Sequence, residues 1–200
     1  MRTVIICALA LLPVGIALAD EAERRQLGAH EHGHSVLNIA IEGDRIEMEL
    51  MAPGMDIVGF EHVAETEQDK GAVAEAEAAL SDPLALFVMP EEAGCAIETA
   101  AVELEAEDEH EGEHAEEGEH GEEHAEEEHA EHEGEESHTE FHAEYAITCT
   151  SPDDLGGIEF AFFDRFPGAE EIEVTVITEN GQTSYEVERD SPRIDLKGLI

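Results

Sequence analysis

The sequence predicts an α+β fold, mainly antiparallel β with one substantial helix, and a disordered acidic, histidine-rich loop inserted in a hairpin. Three observations predict it. Apolar residues alternate with period two in several short segments. One stretch alone has helical spacing over several turns. The thirty residues from 107 to 136 contain no large apolar side chain at all.

At the start of the chain Arg2 precedes an apolar run from Val4 to Leu12, and Ala17, Leu18 and Ala19 form a small-residue exit before Asp20. This pattern predicts a signal peptide over residues 1–19, which would send the chain to the periplasm and carry Cys7 away with it. The run is shorter than the roughly 18 to 20 apolar residues of a membrane span, so no stable membrane insertion is expected after cleavage. Residues 20–200 are read as a single metal-binding domain.

Leu37, Ile39 and Ile41 alternate with other residues, and the alternation resumes at Ile46, Met48 and Leu50 after Glu42-Gly43-Asp44-Arg45. A β-hairpin is expected, ended by Pro53 and Gly54. From about Val63 to Leu80 the chain is rich in Ala, Glu and Gln, with Val73, Ala76 and Leu80 at helical spacing and Gly71 as a weak point. One amphipathic helix is predicted there, stopped by Ser81-Asp82-Pro83, and Leu84 to Val88 reads as a short buried strand.

Cys95 to Leu104 and Phe141 to Cys149 read as the arms of a long hairpin. With Cys95 opposite Cys149, counting inward nine residues on each arm brings Leu104 opposite Glu140. Residues 105–137 then form its insertion, tolerable because closure entropy grows only as (3/2)RT ln n. In an oxidising compartment Cys95 and Cys149 are expected to form a disulfide. The alternative, a thiolate metal site, lacks the short C-x-x-C spacing of a zinc clip. Ile158 to Phe163 and Glu171 to Thr178 add two strands, and Asn180-Gly181 signals a turn back through Thr183 to Val187. Phe160, Phe162, Phe163 and Phe166 are read as core packing, and the count reaches seven or eight strands.

The formal net charge is −43, with only 9 Lys plus Arg against 52 Asp plus Glu. A polyanion would be repelled at every approach, which excludes nucleic acid and anionic membrane as partners and leaves cations as the natural counter-species. Residues 107–136 hold 17 Asp or Glu and 6 His, namely His110, His114, His120, His124, His129 and His132. Such a segment cannot bury enough apolar surface to offset ordering, and is expected to be disordered without ligand. Its neutral imidazoles are zinc ligands and its carboxylates add oxygen donors, so several weak, exchangeable sites are expected. The plainer reading is a solvating acidic linker, a task that uniform Glu would perform without histidine.

At the mature N-terminus GAHEHGHSVLNIA places His30, His32 and His34 at alternate positions before a strand, with Gly33 permitting a bend. Extended backbone projects all three to one side, where neighbours can converge on one ion. His62, beside Glu61, is a fourth candidate ligand; without metal it is simply a histidine at a helix start. His138 and His142 stand about 13 Å apart on an extended strand, too far to share an ion, so each is assigned to a different site or His138 to the arm. Imidazole must be deprotonated to ligate, so binding is expected to weaken as pH falls through about 6. No Ser/His/Asp triad, nucleophilic Cys, phosphate-cradling glycine loop or HExxH run is present, and no enzymatic activity is expected.

The blocks RQLGAHEHGHSVLNIAIEG, DIVGFEHVAETEQ, LFVMPEEAGCAIETA, HTEFHAEYAITCTSPDDL and FDRFPGAEEIEVTVITENGQ, with an acidic His-rich stretch between the third and fourth, resemble the ZrgA family of zinc-regulated periplasmic proteins. The resemblance covers nearly the whole mature chain. It implies zinc as the bound ion, periplasmic binding in support of import through a membrane transporter, and a component of that import system as partner. It points to His30, His32 and His62 as ordered ligands; His34 lies outside the tightest part of the pattern. The function so read is zinc scavenging or metallochaperone activity. The alternatives are a non-catalytic interaction module whose acidic arm only solubilises it, or a binder of nickel, copper or cobalt, which imidazole also suits.

Overall fold

The structure, a computed structural model, describes residues 32–107 and 138–200. The predicted signal peptide, His30 and the six histidines of the arm lie outside the described residues.

β1 (His34–Glu42) and β2 (Arg45–Pro53) form the expected hairpin, with Glu42 opposite Arg45 across Gly43-Asp44. Leu37, Ile39, Ile41, Ile46, Met48 and Leu50 are all buried on one face of it. Period two therefore leaves His34, Val36, Glu49 and Met51 on the opposite face. After Pro53 the chain turns into α1 (Gly54–Val58), which Gly59 closes in the left-handed region at φ 82°.

α2 runs Glu67–Leu80 and begins later than its Ala/Glu-rich composition suggests. The Thr66 hydroxyl accepts from the Asp69 backbone N–H at 3.1 Å, and the Asp69 carboxylate accepts from that of Thr66 at 3.3 Å. This reciprocal box satisfies otherwise orphaned helix donors and fixes the start, so residues 59–66 remain a loop. Ala76 and Leu80 are buried, as the helical spacing predicts.

Two expected strands are shortened. Pro83 opens a helical turn, α3 (Pro83–Leu86), and only Phe87–Val88 is strand β3; proline is preorganised for a first helical turn. β6 (Gly157–Phe160) stops before the helical turn α4 (Phe162–Arg165) instead of reaching Phe163. A strand would send Phe162 and Phe163 to opposite faces, whereas the turn buries both, together with Phe166. β9 (Arg193–Asp195), three residues long, is too short to reveal an alternation in sequence.

β4 (Cys95–Glu107), β5 (His138–Cys149), β7 (Glu171–Thr178) and β8 (Gly181–Glu188) complete a six-stranded sheet in the order β4-β5-β2-β1-β7-β8. All its pairings are antiparallel except β1 with β7, which is parallel. β3, β6 and β9 form a second, smaller sheet. Phe87 of β3 lies 6.4 Å from Tyr145 of β5 and stacks at 5.8 Å on Phe162, so the small sheet and α4 cover the apolar face of the large one. The other face of the large sheet carries the polar residues.

Cys95 stands opposite Cys149 and is bonded to it, as expected. The register further along the hairpin is displaced by one residue: Leu104 faces Phe141, not Glu140. A bulge between Ile97 and Thr99 inserts Glu98 without a partner. Because strand side chains alternate, that single extra residue turns Leu104 to the apolar side and Glu103 and Glu105 to the polar side. Pairing continues to Glu107 opposite His138, so the inserted arm leaves and rejoins the sheet there.

Candidate metal site

The polar end of the sheet gathers residues from four separate segments. Gly33, just ahead of β1, is held from two sides. Its N–H donates to Asp56 Oδ1 at 2.7 Å, and its carbonyl accepts from the Glu170 and Glu171 N–H groups at 2.8 and 2.9 Å. With φ at 88° this position suits glycine. His32 is thereby fixed over the loop after α1, where its Nε2 lies 2.8 Å from Glu61 Oε1. The other oxygen, Glu61 Oε2, is 2.9 Å from Nδ1 of His138, the first residue of β5. One carboxylate, its side chain 12 % exposed, thus bridges two imidazoles that are 106 residues apart in sequence.

Burial alone would push the Glu61 carboxyl up, but hydrogen bonding from His138 and His32 and their charge overcome it and hold it below the usual carboxylate range. Asp56 shifts the other way: burial raises its carboxyl against the opposing Gly33 hydrogen bond and His32. Asp56 Oδ2 is buried and has no hydrogen-bond partner among the described residues. A buried carboxylate oxygen left in that state is costly, and a nearby cation would offset the cost.

Glu61 reaches His138 because the loop lies directly on the start of β5. A Cβ at Gly54 would strike the Thr139 hydroxyl and come within 2.8 Å of the Phe60 carbonyl. Gly54→Ala is therefore expected to lift this loop, costing about 1–3 kcal/mol of stability from overpacking. Thermal melts would detect the loss.

The remaining predicted ligands are distributed otherwise. His34 contacts Glu171 at 3.5 Å across the parallel β1/β7 pairing. His62 is exposed, stacked on Phe60 with ring centroids 4.6 Å apart, and its Nδ1 lies 3.1 Å from the Val63 carbonyl. The contacts at the bridge are made by its neighbour Glu61. His142 has its own partners, with Nε2 2.6 Å from Glu140 Oε2 and 3.7 Å from Glu105 Oε2. Among the described residues no group of three or more His, Cys, Asp or Glu side chains is placed so that it could hold a metal ion. The bridge is a hydrogen-bonded arrangement, not a coordination shell.

A profile of the ZrgA family of zinc uptake proteins matches residues 29–196. The chain belongs to the ZrgA family. That membership gives it a role in zinc uptake and extends from just before His30 through both cysteines, the arm and β9. A search of curated proteins gives no match. Zinc is thus the cargo against which the site is judged, and a carboxylate between two imidazoles offers the nitrogen and oxygen donors that zinc takes. Among the described residues no helix is long and apolar enough to cross a membrane.

Glu61 and Asp56 are members of this candidate site that the sequence did not single out. Both lie in the block DIVGFEHVAETEQ, one of those that carried the resemblance. In a chain with 52 acidic residues, composition gives no means of choosing these two.

Proposed function

We propose that the protein is a periplasmic zinc scavenger or metallochaperone that captures Zn²⁺ with its His/Glu-rich arm and holds it at His32, Glu61 and His138 for hand-over to a zinc import system. The observation that carries this reading is the nearly buried Glu61 carboxylate between two imidazoles. Zinc would replace the bridging protons, drawing on two nitrogens and a carboxylate and leaving a position for water or for His30. An open coordination position suits exchange, whereas four closed protein ligands suit a permanent structural ion.

The position of the arm supports the same reading. His138, a member of the bridge, is also the residue at which the arm rejoins the sheet. An ion collected by the arm would therefore be released close to the ordered ligands. The negative field of the whole chain raises the local cation concentration, and the arm's weak sites exchange quickly. Nothing in this donor set rejects nickel or copper, so selectivity for zinc would come from availability and from the import partner.

The test is equilibrium competition of the full mature chain against a zinc chelator, with and without His32→Ala/His138→Ala. The parent should show one class of tight sites above a weaker, larger capacity. The double variant should lose the tight class and retain the capacity. Tight binding that is unchanged in the double variant would refute the ordered site.

A further inference from the structure

We infer that the outer edge of β8 accepts an extended segment of a partner protein that carries Lys or Arg at alternate positions, adding a seventh strand to the six-stranded sheet. β8 ends the sheet order and, among the described residues, pairs with β7 alone. The Glu171 N–H donates to the Gly33 carbonyl on the β1 side, and the Arg189 N–H donates to the Glu170 carbonyl of the preceding residue. Glu171 and Glu188 are therefore a non-hydrogen-bonded pair of the β7/β8 ladder. Bonded and non-bonded pairs alternate along antiparallel strands, so Gln182, Ser184 and Glu186 also turn their N–H and C=O groups outward.

The features that ordinarily blunt an edge strand are missing from this one. The strand GQTSYEVE has no proline or lysine, and its register with β7 runs through all eight pairs without a bulge. At the opposite edge β4 is interrupted by the bulge at Glu98.

Charge decides what the β8 edge admits. Period two puts Gln182, Ser184, Glu186 and Glu188 on the polar face of the sheet, and Thr183, Tyr185 and Val187 on the apolar side. Glu186 faces Glu173 directly, and Glu188 faces Glu171. The cationic groups beside these pairs are His34, 3.5 Å from Glu171, and Arg189. The Arg189 guanidinium is already engaged by the carbonyls of Phe163, Pro167 and Ala169. Lys or Arg on an incoming strand, set beside Glu186 and Glu188, would bring opposite charge to two like-charge contacts. A cleft of about 450 Å³ at the end of β8, lined by His34, Glu170, Glu171, Glu188, Arg189 and Asp190, has room for one such side chain. The intervening residues of the incoming strand would lie beside half-buried Tyr185, whose hydroxyl donates to the Asp195 carbonyl at 2.8 Å, and apolar side chains suit that position.

A second copy is the poorer occupant, because each chain brings a net charge of −43 and its own Glu186 and Glu188 to the contact. The edge lies on β8, whereas the candidate zinc site is built from the N-terminal segment, the loop after α1 and β5. Strand addition therefore requires no bound zinc.

The test titrates the ¹⁵N-labelled full mature chain, free of zinc, with the synthetic peptide acetyl-KVKVKVK-amide and reads each backbone amide by NMR. The expected result is saturable shifts along β8 and slowed hydrogen exchange at the Gln182, Ser184 and Glu186 amides. Replacing every valine of the peptide by proline keeps its charge but removes ladder donors, and should leave exchange at these amides unchanged. Glu186→Gln/Glu188→Gln, both exposed positions, should weaken KVKVKVK binding about 2–30-fold, the range for two opposite-charge cross-strand pairs. Peptide that shifts other acidic residues while the β8 amides exchange at the parent rate would overturn the inference, leaving Glu186 and Glu188 as charges that keep the edge unpaired. Equal binding of acetyl-EVEVEVE-amide would overturn it too. So would a concentration-dependent dimer in sedimentation whose β8 amides are already protected, since a second copy would then hold the edge.

Discussion

Replacing Glu61 by Gln is expected to weaken zinc binding at the ordered site by about 10–100-fold while the fold remains intact, a range typical for losing a carboxylate that orients or charges a metal's imidazoles. Gln preserves size and one acceptor oxygen but removes the charge that faces both His32 and His138. Competition with a chelating indicator would give the affinity, and near-ultraviolet circular dichroism would verify the packing. Undiminished affinity in Glu61→Gln would mean that the carboxylate only braces the loop.

The same substitution has a defined pH signature. The Glu61 carboxyl is depressed in the folded chain relative to its ordinary value of 4.5, so its interactions stabilise the fold above that pH and are lost as pH falls through the lower folded value. The stability difference between parent and Glu61→Gln should therefore be full near neutrality and close in acid. Asp56, raised by burial, has the opposite sign: its ionised form opposes folding above its folded pKa, and protonation relieves the penalty. Denaturant titrations of parent and variant from neutral pH down to about 3 would follow the closing difference, to which Asp56 also contributes because the Glu61 charge is one of the causes that raise it.

The second large effect is expected from the disulfide. Cys95 and Cys149 are separated by 54 positions, a span that includes the whole arm. Without the bond the unfolded chain regains the freedom of that long loop, about 4 kcal/mol in the chain-entropy account. Cys95→Ser/Cys149→Ser should lower the urea midpoint by an amount matching that loss, with the zinc-free chains compared so that metal linkage does not intrude. Equal midpoints would mean that the loop's closure contributes nothing to stability. The bond also marks the end of the β4/β5 ladder farthest from the arm, so its removal should loosen the register that sets Glu105 beside His142.

Much of this was legible in the chain itself. The β1/β2 hairpin, β7, the helix ending at Leu80 and the Cys95–Cys149 pairing each follow from a local pattern: strict alternation, helical spacing, or two cysteines that remain after a predicted signal peptide. The departures are equally local in cause. A capping box at Thr66 shortened the helix, a proline turned Pro83–Leu86 helical, and a consecutive aromatic pair bent α4 away from β6.

The abundance of His and Glu determined by itself that this protein handles cations, because donor chemistry and charge belong to composition and need no fold. Which histidine meets which carboxylate was decided only by the tertiary structure. Glu61 owes its place to a loop held against β5, His32 to Gly33 and Asp56, and Glu105 to one unpaired residue in β4. Coordination depends on ångström distances between segments remote in sequence. Packing and register set those distances, and neither is written in the spacing of the ligands.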